Sequence, residues 1–142
     1  MKREELSEQD RRLLQEAEAA RQQAYVPYSR FRVGAALVTA SGRVVRGCNI
    51  ENASFGVTNC AERTALFTAV AMGETDVLAL AVVADTENLT TPCGACRQVM
   101  VELAPRARVI IGNLKGDVTV TSSRELLPGA FTTEELQQGQ GR

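Results

Sequence analysis

The sequence contains no histidine among its 142 residues. This absence excludes Ser-His-Asp and Cys-His nucleophilic catalysis, and it excludes every metal site that uses an imidazole ligand. Acid–base chemistry near neutral pH would therefore need a carboxylate with a shifted pKa or a water molecule bound to a metal. Of all the residue counts, the histidine count narrows the possible enzyme mechanisms most.

Long apolar runs and a basic region are also missing from the sequence. No apolar run approaches the ~20 residues that a membrane span needs. The charged start, Met1 to Glu5, is unlike a secretory signal. Lysine and arginine residues are scattered over a chain of net charge −1, whereas a nucleic-acid footprint needs a basic face. We therefore expect neither membrane nor nucleic-acid partners.

The cysteines form a pattern typical of a metal site. Three of the four cysteines lie in two short segments, Asn59–Thr64 and Pro92–Gln98. Cys93 and Cys96 have the C-x-x-C spacing that places two thiolates on one helix face, and Cys60 would be a third ligand. Three protein ligands leave one position of a tetrahedral zinc site open, as in catalytic sites. We predict one zinc per chain, in a protein of the reducing cytoplasm.

A carboxylate, Glu62, follows the first of these cysteines after one residue. On a regular helix Cys60 and Glu62 would point about 200° apart, so that a metal beside the helix could not meet both. A metal beyond the helix N-terminus could, and the same holds for the C-x-x-C pair if Thr91–Pro92 opens a second helix. We therefore predict that two helix N-termini converge on one ion. Arg63 and Arg97 could donate hydrogen bonds to the sulfurs and oppose their negative charge.

Other interpretations of these cysteines remain open from spacing alone. A C-x-x-C pair with a distant third cysteine also fits a structural zinc site or a redox pair. The combination of Cys60-Ala61-Glu62 with Pro92-Cys93-Gly94-Ala95-Cys96 favours the zinc nucleoside and base deaminases. Cys48 lies in an apolar run, and we interpret it as a buried, inert thiol.

Periodicity and turn residues predict an α/β fold. The predicted helices are Ser7–Ala24, Cys60–Met72 and a helix that carries the C-x-x-C pair; the predicted strands are Phe31–Thr39, Val44–Ile50, Val77–Ala84, Arg108–Ile111 and Val118–Thr121. The unbroken apolar run of Val77–Ala84 suits a central strand. The connection between the last two strands is too short for a parallel crossover, so we pair them antiparallel. We predict a single domain over residues 1–142, with a five-stranded mixed sheet, a short capped turn at Thr132–Glu135 and a tail that frays from about residue 137.

Five stretches make the sequence resemble the small, homotetrameric, zinc-dependent cytidine deaminases. They are Pro27–Ala36, Gly47–Phe55, Cys60–Ala65, Pro92–Gln98 and Glu125–Pro128, and the likeness extends from about Tyr28 to Phe131. The resemblance implies a three-layer α/β/α fold. It also implies hydrolysis of cytidine and deoxycytidine to uridine and deoxyuridine with release of ammonia, in pyrimidine salvage.

The resemblance assigns roles to particular residues of this chain. Zinc would be bound by Cys60, Cys93 and Cys96, and Glu62 would carry protons between water and the base. The substrate contacts would come from Phe31 on the pyrimidine, Asn49 and Glu51 on the ribose hydroxyls, and the backbone around Ala61 on the base edge. Arg63 would temper the thiolate charge. The spacing of Asn49 and Glu51 by itself also fits turn chemistry.

Two aromatic residues are assigned to a neighbouring subunit by the same resemblance. Phe55 and Phe131 would reach into the pocket of another chain. Position 55 is often tyrosine in this family; phenylalanine keeps the apolar contact and lacks the hydroxyl.

Three further functions remain as alternatives. A deaminase of a cytosine-nucleoside antibiotic would resemble this chain at Pro92–Gln98 and Glu125–Pro128, but the run Asn49–Asn52 favours the ordinary nucleoside. A polynucleotide deaminase is disfavoured by the acidic balance and by the lack of a basic or stacking track. A purely structural zinc module is the third alternative. Removal of the metal would lower the stability of such a module, whereas it would abolish turnover by an enzyme.

Overall fold

The computed structural model describes residues 1–140. Within these residues the order of helices and strands is α1 (Glu8–Ala20), β1 (Val33–Thr39), β2 (Val44–Cys48), α2 (Ala61–Ala71), β3 (Val77–Ala84), α3 (Gly94–Leu103), β4 (Arg108–Asn113), β5 (Val118–Ser122) and α4 (Thr133–Gly139). Short 3₁₀ turns occur at Arg3–Glu5, Arg21–Gln23 and Phe55–Val57. The predicted strands are all present, and β3 has the predicted bounds.

The strands form one mixed sheet in the order β2-β1-β3-β4-β5. β3 and β4 pair parallel, whereas the other neighbouring pairs, including β4 with β5, are antiparallel. This confirms the central position of β3 and the antiparallel pairing of the last two strands. Because two antiparallel pairings separate β2 from β3, strands β2, β3 and β4 point the same way. The helices that follow β2 and β3 therefore begin at the same edge of the sheet, where α/β folds place their ligands.

Helices cover both faces of the sheet. Leu14 and Ala17 of α1 pack with side chains of β1, β3 and β4 on one face. On the other face α2 and α3 contribute Leu66 and Met100 to a second apolar cluster with Leu80 of β3. β3 sends alternate side chains into both clusters, which explains its unbroken apolar sequence. The predicted three-layer α/β/α fold is confirmed.

The first turn of α2 lies unusually close to β2, and Gly47 permits this approach. A Cβ atom at position 47 would lie 2.5 Å from the Ala61 carbonyl oxygen and 2.5 Å from the Ala65 amide nitrogen. Any larger residue would push the helix away from the strand. The absence of a side chain at Gly47 thus sets the position of the helix end that carries Cys60.

Three helix ends differ from the sequence-based prediction. α1 ends at Ala20 rather than at Ala24, because the chain tightens into the 3₁₀ turn Arg21–Gln23, as is common at the C-termini of α-helices. α3 begins at Gly94 with Cys93 as its N-cap residue, two positions after the predicted opening at Thr91–Pro92. The predicted capped turn at Thr132–Glu135 is the start of α4, where Thr132 and Glu135 form a capping box. α4 includes residues 137–139, which lie within the tail that was predicted to fray. Residues 141 and 142 lie outside the described residues. The fraying of the tail and the single domain stay predictions.

No helix among residues 1–140 is both long enough and apolar enough to cross a bilayer.

Candidate active site

Three cysteine sulfurs meet where α2 and α3 begin. Cys60 is the N-cap residue of α2 and Cys93 is the N-cap residue of α3. Cys96 lies one turn further along α3 and is fully buried. The three Sγ atoms all lie within 4.8 Å of one another. This confirms the prediction that two helix N-termini bring these cysteines together.

The spacing of the sulfurs fits zinc. The Sγ atoms of Cys60 and Cys93 are 3.8 Å apart. A tetrahedral zinc ion with Zn–S bonds of about 2.3 Å holds its sulfur ligands roughly 3.8 Å apart. A disulfide would need an S–S distance of about 2.05 Å, and all four cysteines are free. The cluster fits one zinc ion per chain, with one coordination position left to a non-protein ligand.

Hydrogen bonds favour the ionised form of Cys60. The pKa of Cys60 is lowered, and the largest cause is the hydrogen bond between its sulfur and the Cys96 thiol. The nearby guanidinium of Arg63 lowers this pKa further. Arg63 Nη2 donates to Cys60 Sγ at 3.2 Å, so the predicted contact is present. The two helix N-termini also stabilise negative charge at this position. The residues around the cluster therefore oppose the charge that three thiolates would accumulate.

Arg97 does not contact the sulfurs, and the prediction for this residue is wrong. Its Nε donates to the Pro92 carbonyl oxygen at 2.7 Å, Nη1 to the Leu126 carbonyl oxygen at 2.9 Å, and Nη2 to Thr91 Oγ1 at 2.9 Å. Side chains of a helix lean toward its N-terminus. On α3 this direction leads the guanidinium to the backbone that precedes Cys93 rather than to the cysteine itself.

Glu62 lies in the first turn of α2 and is buried beside the cluster. Its exposed fraction is 4%. Burial raises the pKa of Glu62 to about 7, since the carboxylate loses its hydration there, and the thiolate charge of Cys60 adds to the increase. A backbone hydrogen bond and, to a smaller extent, the Cys96 thiol act on this pKa in the opposite direction. A carboxyl group with this pKa can accept and release protons at neutral pH.

Asn49 follows β2 and organises the loop that precedes β1. Its Oδ1 accepts a hydrogen bond from the Val33 amide at 2.9 Å, and its Nδ2 donates to the Phe31 carbonyl oxygen at 2.7 Å. Phe31 itself leaves 40% of its surface exposed. An amide nitrogen has two donors, so Asn49 Nδ2 retains one for a ligand. The contacts of Asn49 and Phe31 with substrate stay predictions.

Glu51 organises the same loop from its other end. The carboxylate accepts hydrogen bonds from the Tyr28 amide at 3.0 Å, from the Ser29 amide at 3.1 Å and from the Ser29 hydroxyl. The Ser29 hydroxyl is the main cause of a lowered Glu51 pKa. The turn chemistry that the sequence left open is thus present. A carboxylate has about four acceptor positions, so Glu51 can still accept a bond from a ligand hydroxyl.

Ala61 and Cys48 occupy different environments. Ala61 is buried and is the first residue of α2, where backbone amides have no partner within the helix. This position suits the predicted contact with a base edge, which stays a prediction. Cys48, the last residue of β2, is half-buried rather than buried, and desolvation raises the pKa of its thiol.

Phe55 and Phe131 lie on the surface. Phe55 is 73% exposed, and its ring meets that of Tyr28 edge to face at a centroid distance of 5.8 Å. Phe131 is 59% exposed, and its carbonyl oxygen accepts a hydrogen bond from Gln98 Nε2 at 2.9 Å. Large exposed apolar side chains suit an interface. Their contribution to another subunit's pocket stays a prediction.

The contacts of Ser29 with Glu51 and of Gln98 with Phe131 were not predicted from the sequence. Both residues lie in stretches that carry the family resemblance, Pro27–Ala36 and Pro92–Gln98. Their place in these stretches was the only sign in the sequence that the two residues matter, but it does not show which residue each of them contacts.

Comparisons with known proteins agree with this site. The family model of the cytidine and deoxycytidylate deaminase zinc-binding region matches residues 7–113. A cytidine deaminase of Halalkalibacterium halodurans is 62% identical over 125 residues, which cover 87% of this chain and 95% of the relative. A cytidine deaminase of Mycobacterium tuberculosis is 44% identical over 115 residues, which cover 80% of this chain and 82% of the relative.

The fold comparison gives the same result. The crystal structure of a cytidine deaminase from Burkholderia pseudomallei superposes with a TM-score of 0.83 at 54% identity, and the match covers 89% of this chain and 100% of that one. The family model spans about three quarters of the sequence, and the structure places a cysteine cluster and a buried glutamate at the edge of a matching sheet. The chain therefore belongs to the cytidine and deoxycytidylate deaminase family.

Proposed function

We propose that this chain catalyses the hydrolytic deamination of cytidine and deoxycytidine to uridine and deoxyuridine, with release of ammonia. The observation that carries the proposal is the buried carboxyl group of Glu62 in the first turn of α2, beside the three-cysteine cluster that this helix end carries. A structural zinc module would gain nothing from this carboxyl group, because burial of an ionisable side chain costs folding free energy. A deaminase needs it to move protons.

The proposed roles follow from this arrangement. Cys60, Cys93 and Cys96 would hold the zinc, which when bound lowers the pKa of water toward about 7. Glu62 accepts a proton from the attacking water and donates it to N3 of the base, so that C4 becomes more electrophilic. As the C4–O bond forms and the C4–N bond breaks, Glu62 carries the second proton to the amino group, which leaves as ammonia.

The loop that Asn49 and Glu51 organise would form the nucleoside-binding side of the pocket. We place the partly exposed ring of Phe31 against the pyrimidine, and the remaining hydrogen-bonding capacity of Asn49 and Glu51 at the ribose hydroxyls. The unpaired amides at the start of α2, around Ala61, would bind the base edge. The existing bonds of Asn49 and Glu51 to the loop support this proposal because they hold the two side chains in place before the substrate binds.

We expect a strong preference for the nucleoside over the free base. Cytosine lacks the sugar, so it would leave polar groups of Asn49 and Glu51 unpaired, at ~1–3 kcal/mol for each group. The kcat/KM for cytidine and deoxycytidine should accordingly exceed that for cytosine by roughly 5- to 140-fold per unpaired group. Ammonia release from cytidine, deoxycytidine, cytosine, CMP and a cytosine-nucleoside antibiotic measures this.

Two results of that assay would contradict the proposal. Equal kcat/KM for cytosine and cytidine would remove the ribose role from Asn49 and Glu51. A higher kcat/KM for the antibiotic than for cytidine would favour the alternative substrate.

We further propose a cytoplasmic homotetramer that acts in pyrimidine salvage and has neither nucleic-acid nor membrane partners. Thiol ligands persist in a reducing compartment, which supports the cytoplasm. Exposed apolar side chains on the 3₁₀ turn (Phe55 and Val57) and on α2 (Phe67 and Val70) support contact between chains. In such an assembly Phe55 and Phe131 would complete the pocket of a neighbour and exclude water from the reaction.

A mixing experiment tests the shared site. Glu62→Gln and Phe131→Ala chains are dissociated, mixed and reassembled, and cytidine deamination is measured. Some interfaces then pair an intact Glu62 with an intact Phe131 from the neighbouring chain, so activity should exceed the mean of the two parent variants. Each variant carried through the same treatment alone is the control. Activity equal to that mean, or a monomer by light scattering at the assay concentration, would exclude a shared site.

A further inference from the structure

The guanidinium group of Arg97 bridges two distant parts of the chain. Two of its nitrogen atoms donate to Thr91 Oγ1 and the Pro92 carbonyl oxygen, which immediately precede the metal ligand Cys93. The third donates to the carbonyl oxygen of Leu126, 29 residues further along the chain. Pro92 is buried, and Arg97 is half-buried and directly follows the ligand Cys96 in sequence. A single side chain thus contacts the backbone before one cysteine ligand and the segment after β5.

The segment of residues 124–132, which we call the C-terminal strap, is tied at its start to the end of β5. There the Glu125 amide donates to Ser122 Oγ at 3.1 Å and the Leu126 amide donates to the Ser122 carbonyl oxygen at 3.2 Å. The strap lies between β5 and α4 without belonging to either element. Within the strap, the Leu126 side chain packs against the core cluster of α2 and α3, and the Phe131 carbonyl oxygen accepts a bond from Gln98. Arg97 and Gln98 are adjacent on α3, so the first turns of this helix hold the strap at two points.

We propose that Arg97 is a positioning residue that couples the cysteine cluster to the C-terminal strap, so that zinc binding and the placement of Phe131 stabilise each other. The planar fork of arginine can hold three acceptors in a fixed arrangement. If the strap moves, the bond to Leu126 is lost and the guanidinium is free to release the backbone before Cys93. Coupling of this kind is reciprocal, since each event changes the free energy of the other by the same amount.

The importance of this coupling for catalysis rests on the proposed function, in which Phe131 serves a neighbouring site. A strap held by the zinc cluster would deliver Phe131 only from chains that carry zinc. Zinc occupancy in one chain would then govern the completeness of the pocket in another.

The first test measures zinc transfer from loaded protein to an excess of a chromophoric chelator, without substrate. We expect transfer from Arg97→Gln to be roughly 10- to 100-fold faster than from the unmodified protein, as for other residues that orient metal ligands. Arg97→Lys should behave similarly, because an ammonium group keeps the charge but cannot hold the three acceptors in the same geometry. Arg124→Gln, an exposed arginine of the strap itself, is the matched control and should stay within about twofold.

The second test measures hydrogen exchange of the strap amides with and without zinc. Removal of zinc from the unmodified protein should speed exchange in residues 124–132. In Arg97→Lys this exchange should already be fast, and removal of zinc should change it little.

Several outcomes would overturn the proposal. Zinc transfer from Arg97→Lys at the rate of the unmodified protein would show that charge, rather than the three-way contact, is what matters. Strap exchange that does not respond to zinc would show that the two regions are independent, and this comparison needs no variant. Both tests are read without substrate, so their failure is distinct from a failure to deaminate cytidine.

Discussion

The Glu62→Gln variant is expected to keep its fold and its zinc while losing deaminase activity by several orders of magnitude. The substitution preserves the shape of the side chain but removes the group that accepts and donates protons. General acid–base transfer by a positioned residue typically contributes ~10²–10⁴-fold, and Glu62 would serve more than one transfer in each turnover. Cytidine turnover, zinc content and circular dichroism of the purified variant measure the three parts of this expectation.

An exposed carboxylate provides the matched control for Glu62. Glu102 lies on α3, is exposed and undergoes the same chemical change in Glu102→Gln. This variant should retain the activity of the unmodified protein. If Glu62→Gln stayed within about tenfold of the unmodified protein, another group would have to carry the protons.

The second large effect is expected for Cys93→Ala, which should lose both zinc and activity. Cys93 is the most exposed of the three cysteines and caps α3, so its removal leaves two sulfur ligands with two open coordination positions. Because zinc binding contributes directly to the stability of such sites, the variant should also melt at a lower temperature than the zinc-loaded protein. Elemental analysis and thermal unfolding measure these effects.

Cys48→Ala is the matched control for this experiment. Cys48 has the same thiol but lies on β2, outside the cluster of Cys60, Cys93 and Cys96. Its replacement should leave both zinc content and activity nearly unchanged. One zinc per chain in purified Cys93→Ala would show that Cys93 is not a ligand.

Local sequence was sufficient for most of the fold. The apolar run Val77–Ala84 identified the central strand, because a strand covered on both faces needs apolar side chains on both. The short connection before β5 specified the antiparallel pairing. The start of α3 was misplaced by two residues because a threonine followed by a proline has the features of a helix cap, whereas Cys93 takes that position in the structure.

The site was predictable in its chemistry and less so in its contacts. Three cysteines and Glu62 could be identified because few residue types bind zinc or move protons in a chain without histidine. The loop bonds of Glu51 and the surface positions of Phe55 and Phe131 depend on distances between segments that are separate in sequence. Periodicity contains no information on such distances.

Arginine shows where the sequence stops being sufficient. Arg63 and Arg97 each directly follow a residue of the zinc site in sequence, so that the sequence predicted the same sulfur contact for both. In the structure Arg63 contacts Cys60, whereas Arg97 contacts the carbonyl oxygen of Leu126. The sequence by itself determined the candidate ligands, the candidate proton carrier and the order of helices and strands, because these follow from residue chemistry and local spacing. Only the tertiary structure decided which partner each long side chain takes, because acceptors from distant segments compete for its donors and the packed fold determines which of them is within reach.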